Sequence, residues 1–329
     1  MLFTVQSKLK IALPISLLVA VLISFAFQQG IFSSWQAKLT DSFYYEQKPL
    51  NDILLLTIDD HALQDIGRWP WKREVYINLL QKLSTAKVIG FDIAFFEAYD
   101  PEIDKEVAAT MANVSVIIPS QYTDYQINGD TILGTELLLP TKAYQNISHG
   151  FVNIFSDADG ITRSLPTQVS GKFAEEGFAL RVAEAFRGRD IESDSSLIIN
   201  FIGPPHSFQE QSLSTCLQSN SVLLNNTSLR GKIVLIGATA PGLHDEYFVP
   251  FSESGAMSGI EINANAIQTL LTQRFLQTQG AFSTFALIFL MSFLSGIIAA
   301  LFRLRFALPF LFLLFLSLFF YRISHLAEA

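Results

Sequence analysis

Three stretches of this chain, residues 11–27, 281–302 and 306–321, carry no charged side chain and little that is polar. Placing a charge in hydrocarbon costs a few kcal/mol, so uncharged apolar runs of this length are built for a lipid bilayer. A spanning helix needs about 20 apolar residues. The middle run meets that length; the outer two reach it by recruiting flanking polar residues such as Ser7 and Ser324. Between the first and second runs the composition reverses. Residues 31–280 hold 17 of the 22 basic and 29 of the 30 acidic residues, a net charge of −12, whereas the remainder of the chain is +4.

This segregation excludes several classes. A mean hydropathy of +0.34 with 16% charged residues is too apolar for an ordinary soluble enzyme and too ordered for a disordered chain. The acidic balance argues against nucleic acid as a partner, because phosphates would be repelled. A single cysteine, Cys216, rules out an internal disulfide framework and any CxxC metal or redox motif.

The first run has the basic start of a signal peptide, but Phe27-Gln28-Gln29-Gly30-Ile31-Phe32 offers no A-x-A cleavage pattern, so an uncleaved anchor is expected. Orientation follows from the cations at the helix ends. Lys8 and Lys10 hold the start in the cytoplasm, the acidic block lies outside, and Arg303 with Arg305 forms a second cytoplasmic turn. Both clusters agree on one topology. The expected organisation is an N-terminal anchor (1–30), an extracytoplasmic domain (31–278) and C-terminal transmembrane helices (279–329), with residues 31–278 outside a bacterial inner membrane. Three spans leave the C-terminus outside, so a receptor reporting inward would need a further helix and an output domain beyond these residues.

Within the acidic block, residues 53–58 form a continuous apolar run ended by Asp59-Asp60, the pattern of a strand buried on both faces. Residues 72–83 have helical spacing, 87–93 read as a strand, 102–112 as a helix and 114–119 as a short strand. Alternating strands and helices imply parallel pairing. Residues 150–155 and 161–169 flank Ser156-Asp157-Ala158-Asp159-Gly160, which predicts a hairpin with an Asp/Gly turn. A helix over 174–186, strands over 196–202 and 231–237, and a helix over 259–275 running almost straight into the second span complete the reading. The expected fold class is α/β: a mixed, largely parallel sheet with flanking helices and an inserted hairpin, plus transmembrane α-helices.

These residues carry a resemblance. Asp59-Asp60 followed by Gly67-Arg68-Trp69-Pro70-Trp71, then Val88-Ile89-Gly90-Phe91-Asp92, Gly150-Phe151-Val152-Asn153 and Asp157-Ala158-Asp159-Gly160 are joined by Ile199-Asn200-Phe201-Ile202-Gly203-Pro204-Pro205, Gly237-Ala238-Thr239-Ala240-Pro241-Gly242 and Gly259-Ile260-Glu261. Spread over nearly all of residues 40–275, they resemble the CHASE type 2 domain, an extracytoplasmic sensory module of bacterial receptors. The resemblance implies a sensor, not an enzyme, coupled to a cytoplasmic cyclase or kinase that this chain does not contain.

Candidate site residues sit where strands end. In open parallel sheets ligands bind beyond the carboxyl ends of the strands. Asp59, Asp60 and Asp92 occupy such positions, and Thr239 lies in a Gly-rich exit able to offer backbone N–H groups to an anion. Carboxylates gathered there would hold a hard cation or a cationic ligand; the competing and weightier reading makes Asp59 and Asp92 helix caps or loop anchors. Trp69 and Trp71 read either as an aromatic platform for a ligand or, preferably, as plugs at the sheet edge. Asp157-Ala158-Asp159-Gly160 has a Ca²⁺-loop opening but lacks the later Glu and the flanking helices, so a β-turn is the better account. His61, His149, His206, His244 and His325 are scattered, and no G-x-S-x-G elbow exists. The expected function is a membrane-anchored sensor without a cofactor. Its partners would be the bilayer, a small-molecule or ionic stimulus, and a second copy or a signalling protein. The alternatives are a periplasmic metal-dependent enzyme using Asp59, Asp60 and Asp92, or a structural anchor for a separate signalling partner.

Overall fold

The computed structural model describes residues 5–128, 131–218, 229–251, 255–276 and 280–302. The chain divides into two compact units, residues 1–43 with 276–329 and residues 44–275. The third apolar run, the Arg303/Arg305 turn and the polar stretch 220–228 lie outside the described residues.

In the first unit, α1 (Val5–Gln28) and the helix Ala281–Leu301 are long and apolar enough to cross a membrane. They pack together through small residues. A Cβ on Gly296 would meet the Ser16 hydroxyl at 1.9 Å, so only glycine admits the approach. Ser16 donates to Ala12 O at 2.9 Å. Between them in sequence comes α2 (Ser33–Asp41), with Phe32, Trp35 and Leu39 exposed.

The second unit is a three-layer sandwich. Its elements in chain order are β1 (Ile53–Ile58), α3 (Asp60–Ile66), α4 (Glu74–Lys82), β2 (Val88–Phe91), α5 (Pro101–Met111), β3 (Val116–Asn128), β4 (Thr131–Leu138), β5 (Ser148–Phe151), β6 (Ser164–Pro166), β7 (Gln168–Val169), β8 (Glu175–Glu176), α6 (Phe178–Arg187), β9 (Ser196–Ile198), β10 (Gln209–Ser212), α7 (Leu213–Leu217), β11 (Ile233–Ala238), β12 (Glu246–Tyr247), β13 (Met257–Ser258) and α8 (Gly259–Thr272). The membrane-length helix Ala281–Leu301 is α9.

The central sheet runs β10-β1-β11-β2-β3-β5, all parallel, and β4 pairs antiparallel with the far half of β3. Both faces are covered, which is why the central strands β1, β11 and β2 are apolar at nearly every position. Ile53, Leu55, Val88, Ile233 and Leu235 face α6 and α8, while Leu56, Ile58, Ile89, Phe91 and Ile236 face α3, α4, α5 and α7. Gly150 in β5 approaches helix backbone directly: a Cβ there would lie 2.9 Å from the Phe178 backbone. Overpacking against backbone that cannot yield costs about 1–3 kcal/mol. Gly150→Ala should lower the urea midpoint of the full chain in detergent accordingly; an unchanged midpoint would show that α6 can shift.

The α/β class with a largely parallel sheet and flanking helices is the one the sequence predicts. The hairpin is elsewhere. It is formed by β3 and β4, not by 150–155 with 161–169: β5 joins the main sheet beside β3, and β6 pairs with β9 some thirty residues on. The Asp/Gly turn does form, closed by Gly160 N–H on Asp157 O at 2.9 Å, but it connects strands of different sheets.

The predicted helix over 259–275 is also corrected. It ends at Thr272, where Gln273 takes a left-handed conformation (φ 56°), and the next described helix begins at Ala281. No unbroken rod joins the domain to the span. Every residue of α8 from Gly259 to Leu271 is buried, polar ones included. Such burial requires partners. Glu261 accepts the N–H groups of His206 and Ser207, both at 2.9 Å, Asn265 that of Ile202 at 3.0 Å, and Thr269 that of Asn200 at 3.1 Å. One face of α8 thus satisfies irregular backbone that has no strand beside it.

Candidate functional site

β11 lies between β1 and β2, and the chain leaves these neighbours toward opposite faces. After β1 and β2 it passes to the layer of α3, α4 and α5; after β11 it passes to α8. This is a topological switch point, where open α/β sheets form ligand crevices.

Asp92 and Asp245 meet there. The Asp92 N–H continues the ladder to Ile236 O at 2.7 Å, which holds the carboxylate at the strand end, and Asn263 of α8 donates to it at 3.3 Å. Asp245 follows the turn at His244 (φ 57°), and its carbonyl accepts the Gly259 N–H at 3.1 Å. A Cβ on Gly259 would sit 2.6 Å from both Asp245 carboxyl oxygens, so glycine at the start of α8 makes the carboxylate's seat. The Tyr247 hydroxyl also bonds that carboxylate.

The electrostatics follow from this packing. Burial pushes the Asp92 carboxyl up to about 8, the neighbouring Asp245 charge adds to the rise, and the Asn263 amide opposes it. Asp245 is raised too, by burial first, against the Tyr247 hydroxyl and the Gly259 N–H that favour its charge, with Glu246 adding to the rise. Two carboxyls with raised pKa values side by side hold a proton at neutral pH. Such a pair can release that proton to a cation or a basic ligand, and it can respond to pH.

The residues named from sequence are placed as follows. Asp59 caps α3, accepting the Ala62 N–H at 2.8 Å, and also takes the Ser212 hydroxyl at 2.7 Å. Asp60 is exposed in the first turn of α3. Asp59, Asp60 and Asp92 do not converge: among the described residues no three His, Cys, Asp or Glu side chains are grouped to hold a metal. That removes the geometry a metal enzyme built on those three would need. The N–H groups of Thr239 and Ala240 both donate to Ile58 O, at 3.1 and 3.0 Å, and so are not free for an anion. Trp71 is buried, with its indole N–H on Gly67 O at 2.8 Å, and Trp69 packs edge-on against it at 5.2 Å over the α3/α4 core. Asp157 and Asp159 are engaged by one guanidinium, that of Arg163, at 2.6 and 2.8 Å, the arrangement of a braced turn rather than a Ca²⁺ loop.

Asp245, Tyr247 and Asn263 were not legible as site residues. Only Asn263 leaves a trace, as one of several amides and acids in a helix too polar for its burial.

With this geometry in view, the family comparison is decisive. The CHASE2 domain model matches residues 17–298, and the chain belongs to the CHASE2 family. That domain is an extracellular sensory module of signalling receptors, sensory rather than catalytic, and the two membrane-length helices are consistent with such a protein. Comparison with curated proteins and with solved structures gave no match.

Proposed function

We propose that the chain is the sensing part of a bacterial inner-membrane receptor, with the α/β domain outside the cytoplasm and an intracellular cyclase or kinase as its output. The observation that carries this reading is the span of the family match, residues 17–298, which reaches into both membrane-length helices and takes in the domain between them. Supporting it are the cations Lys8 and Lys10 before the first span and the −12 charge of the acidic block. The exposed Phe32, Trp35 and Leu39 of the α2 region suit the membrane interface, where amphipathic aromatics settle.

The stimulus acts by binding one arrangement of the domain better than another; moving the balance from 1:99 to 99:1 takes about 5.5 kcal/mol of differential affinity. The Asp92–Asp245 pair is the element best suited to such a bias, since a proton or a cation changes its charge at a switch point. The signal passes to a second copy or to a separate signalling protein in the same bilayer.

Reporter fusions at Asn128, in the β3–β4 hairpin, test the orientation. Alkaline phosphatase should be active there and green fluorescent protein dark. Bright fluorescence with a silent phosphatase would place the domain in the cytoplasm and end the reading.

A further inference from the structure

A second site lies at the other end of α8. A cleft of about 410 Å³ opens there, bounded by Lys48, Asn200, Gln268, Thr272 and Arg274, with Tyr45 at its wall. That volume is in the range of small-molecule sites. It is built from the first and last residues of the domain, which runs from Tyr44 to Phe275.

Its chemistry is one-sided. No carboxylate is among the lining residues, although the surrounding block carries −12. The acceptors are already committed. Gln268 Oε1 takes the Leu50 N–H at 2.9 Å, Asn200 Oδ1 takes the Gln47 amide at 2.9 Å, and Gln47 Oε1 takes a long contact from Arg274 at 3.5 Å. Of the donors, Gln268 Nε2 is spent on Lys48 O at 3.2 Å and the Thr272 hydroxyl on Gln268 O at 2.8 Å. Among the described residues Lys48 Nζ and the Arg274 guanidinium face no carboxylate, and Asn200 Nδ2 has no partner. The negative end of α8, which would repel an anion, is answered in part by Arg187, whose guanidinium binds Leu271 O.

Surplus donors and two uncompensated cations around a concave site select a ligand rich in acceptors. We propose that this cleft binds a small anionic group, a phosphate or a carboxylate, held by Lys48 and Arg274 with Asn200 orienting it. Such a ligand clasps the segment where the chain enters the domain to the segment where it leaves. The shared chemistry has two sources, a free anion or the headgroup of an anionic lipid. The inference stands on the cleft alone and holds whichever way the topology test falls.

The test uses the full chain in detergent and in nanodiscs. Inorganic phosphate titrated in detergent, and phosphatidylglycerol against phosphatidylcholine nanodiscs, are each read by thermal shift for the native chain, for Lys48→Gln with Arg274→Gln, and for a control Lys232→Gln. Both cleft residues are exposed, so the double variant should melt unchanged without ligand. Stabilisation by phosphate that weakens on the order of tenfold or more in the double variant, and not in the control, establishes a free-anion site. Stabilisation confined to phosphatidylglycerol and lost in the double variant establishes a headgroup site. No response in either arm, or equal responses in all three proteins, overturns the proposal.

Discussion

Asp92→Asn is expected to stabilise the protein at pH 8 and to leave it nearly unchanged at pH 4. The sign follows from proton linkage. An aspartate in the unfolded chain titrates near 3.9, whereas Asp92 in the folded domain is pushed up to about 8 by burial and by Asp245. Below the lower value both states are protonated and nothing depends on pH. Between the two, the folded protein keeps a proton that the unfolded chain has released, so stability falls as pH rises through this window and levels off above it.

Asparagine has the shape of the protonated acid and no charge to desolvate. The variant therefore loses that slope, with a gain at pH 8 on the order of a few kcal/mol at 1.36 kcal/mol per pKa unit, reduced because the proton is shared with Asp245. His149 slopes the same way, because its hydrogen bond to Glu175 raises its pKa, so the quantity to compare is the difference between variant and native melts from pH 4 to 9. Parallel curves would show that Asp92 ionises normally and would remove the pair as a pH-responsive element. Asp245 shares the proton with Asp92, and Asp245→Asn should flatten the same window.

Asp104→Ala should be the most damaging single change outside the sheet. Asp104 is 1% exposed at the start of α5, yet it accepts the Tyr144 hydroxyl and the Tyr99 N–H, each at 2.8 Å. Arg73 Nε stands 3.9 Å away, and its guanidinium lies 4.3 Å over the Phe95 ring. Removing the carboxylate takes the counter-charge from a largely buried cation and the acceptor from two donors, one of them the fully buried Tyr144 hydroxyl, a loss of about 3–5 kcal/mol. For a domain of this size that lowers Tm by roughly 6–20 °C at about 2–4 °C per kcal/mol, read from tryptophan fluorescence of the full chain in detergent. Asp104→Asn, which keeps an acceptor for the tyrosine, should lose less. A shift under about 2 °C for the alanine variant would mean that Arg73 and Tyr144 find other partners.

Several elements were legible because their signals are local. β1, β2 and β11 are apolar at every position but Thr57, a pattern that a strand covered on both faces requires. α4 announces itself by apolar spacing, and in α5 the structure adds the Asp100 cap, which accepts the Glu102 and Ile103 N–H groups. The β3–β4 hairpin was missed although Asn128-Gly129-Asp130 is a turn signal, because the strands on either side are too polar to stand out. The strand β10, Gln209–Ser212, escaped for the same reason; at the sheet edge it needs no apolar run. The hairpin expected around Asp157–Gly160 shows the opposite error. A turn motif fixes where the chain bends and says nothing of which strand the next segment will join.

Charge and hydropathy along the chain settle by themselves that apolar ends bracket an acidic α/β domain, because the free energy of solvation acts on each segment wherever it lies. The functional surfaces belong to tertiary structure. Asp92 and Asp245 are far apart in sequence and become a coupled pair only when β11 inserts between β1 and β2 and α8 packs across its end. Lys48 and Arg274 likewise share one cleft only because the two ends of the domain close on α8. Burial and charge proximity, which decide both sites, are properties of neighbours in space.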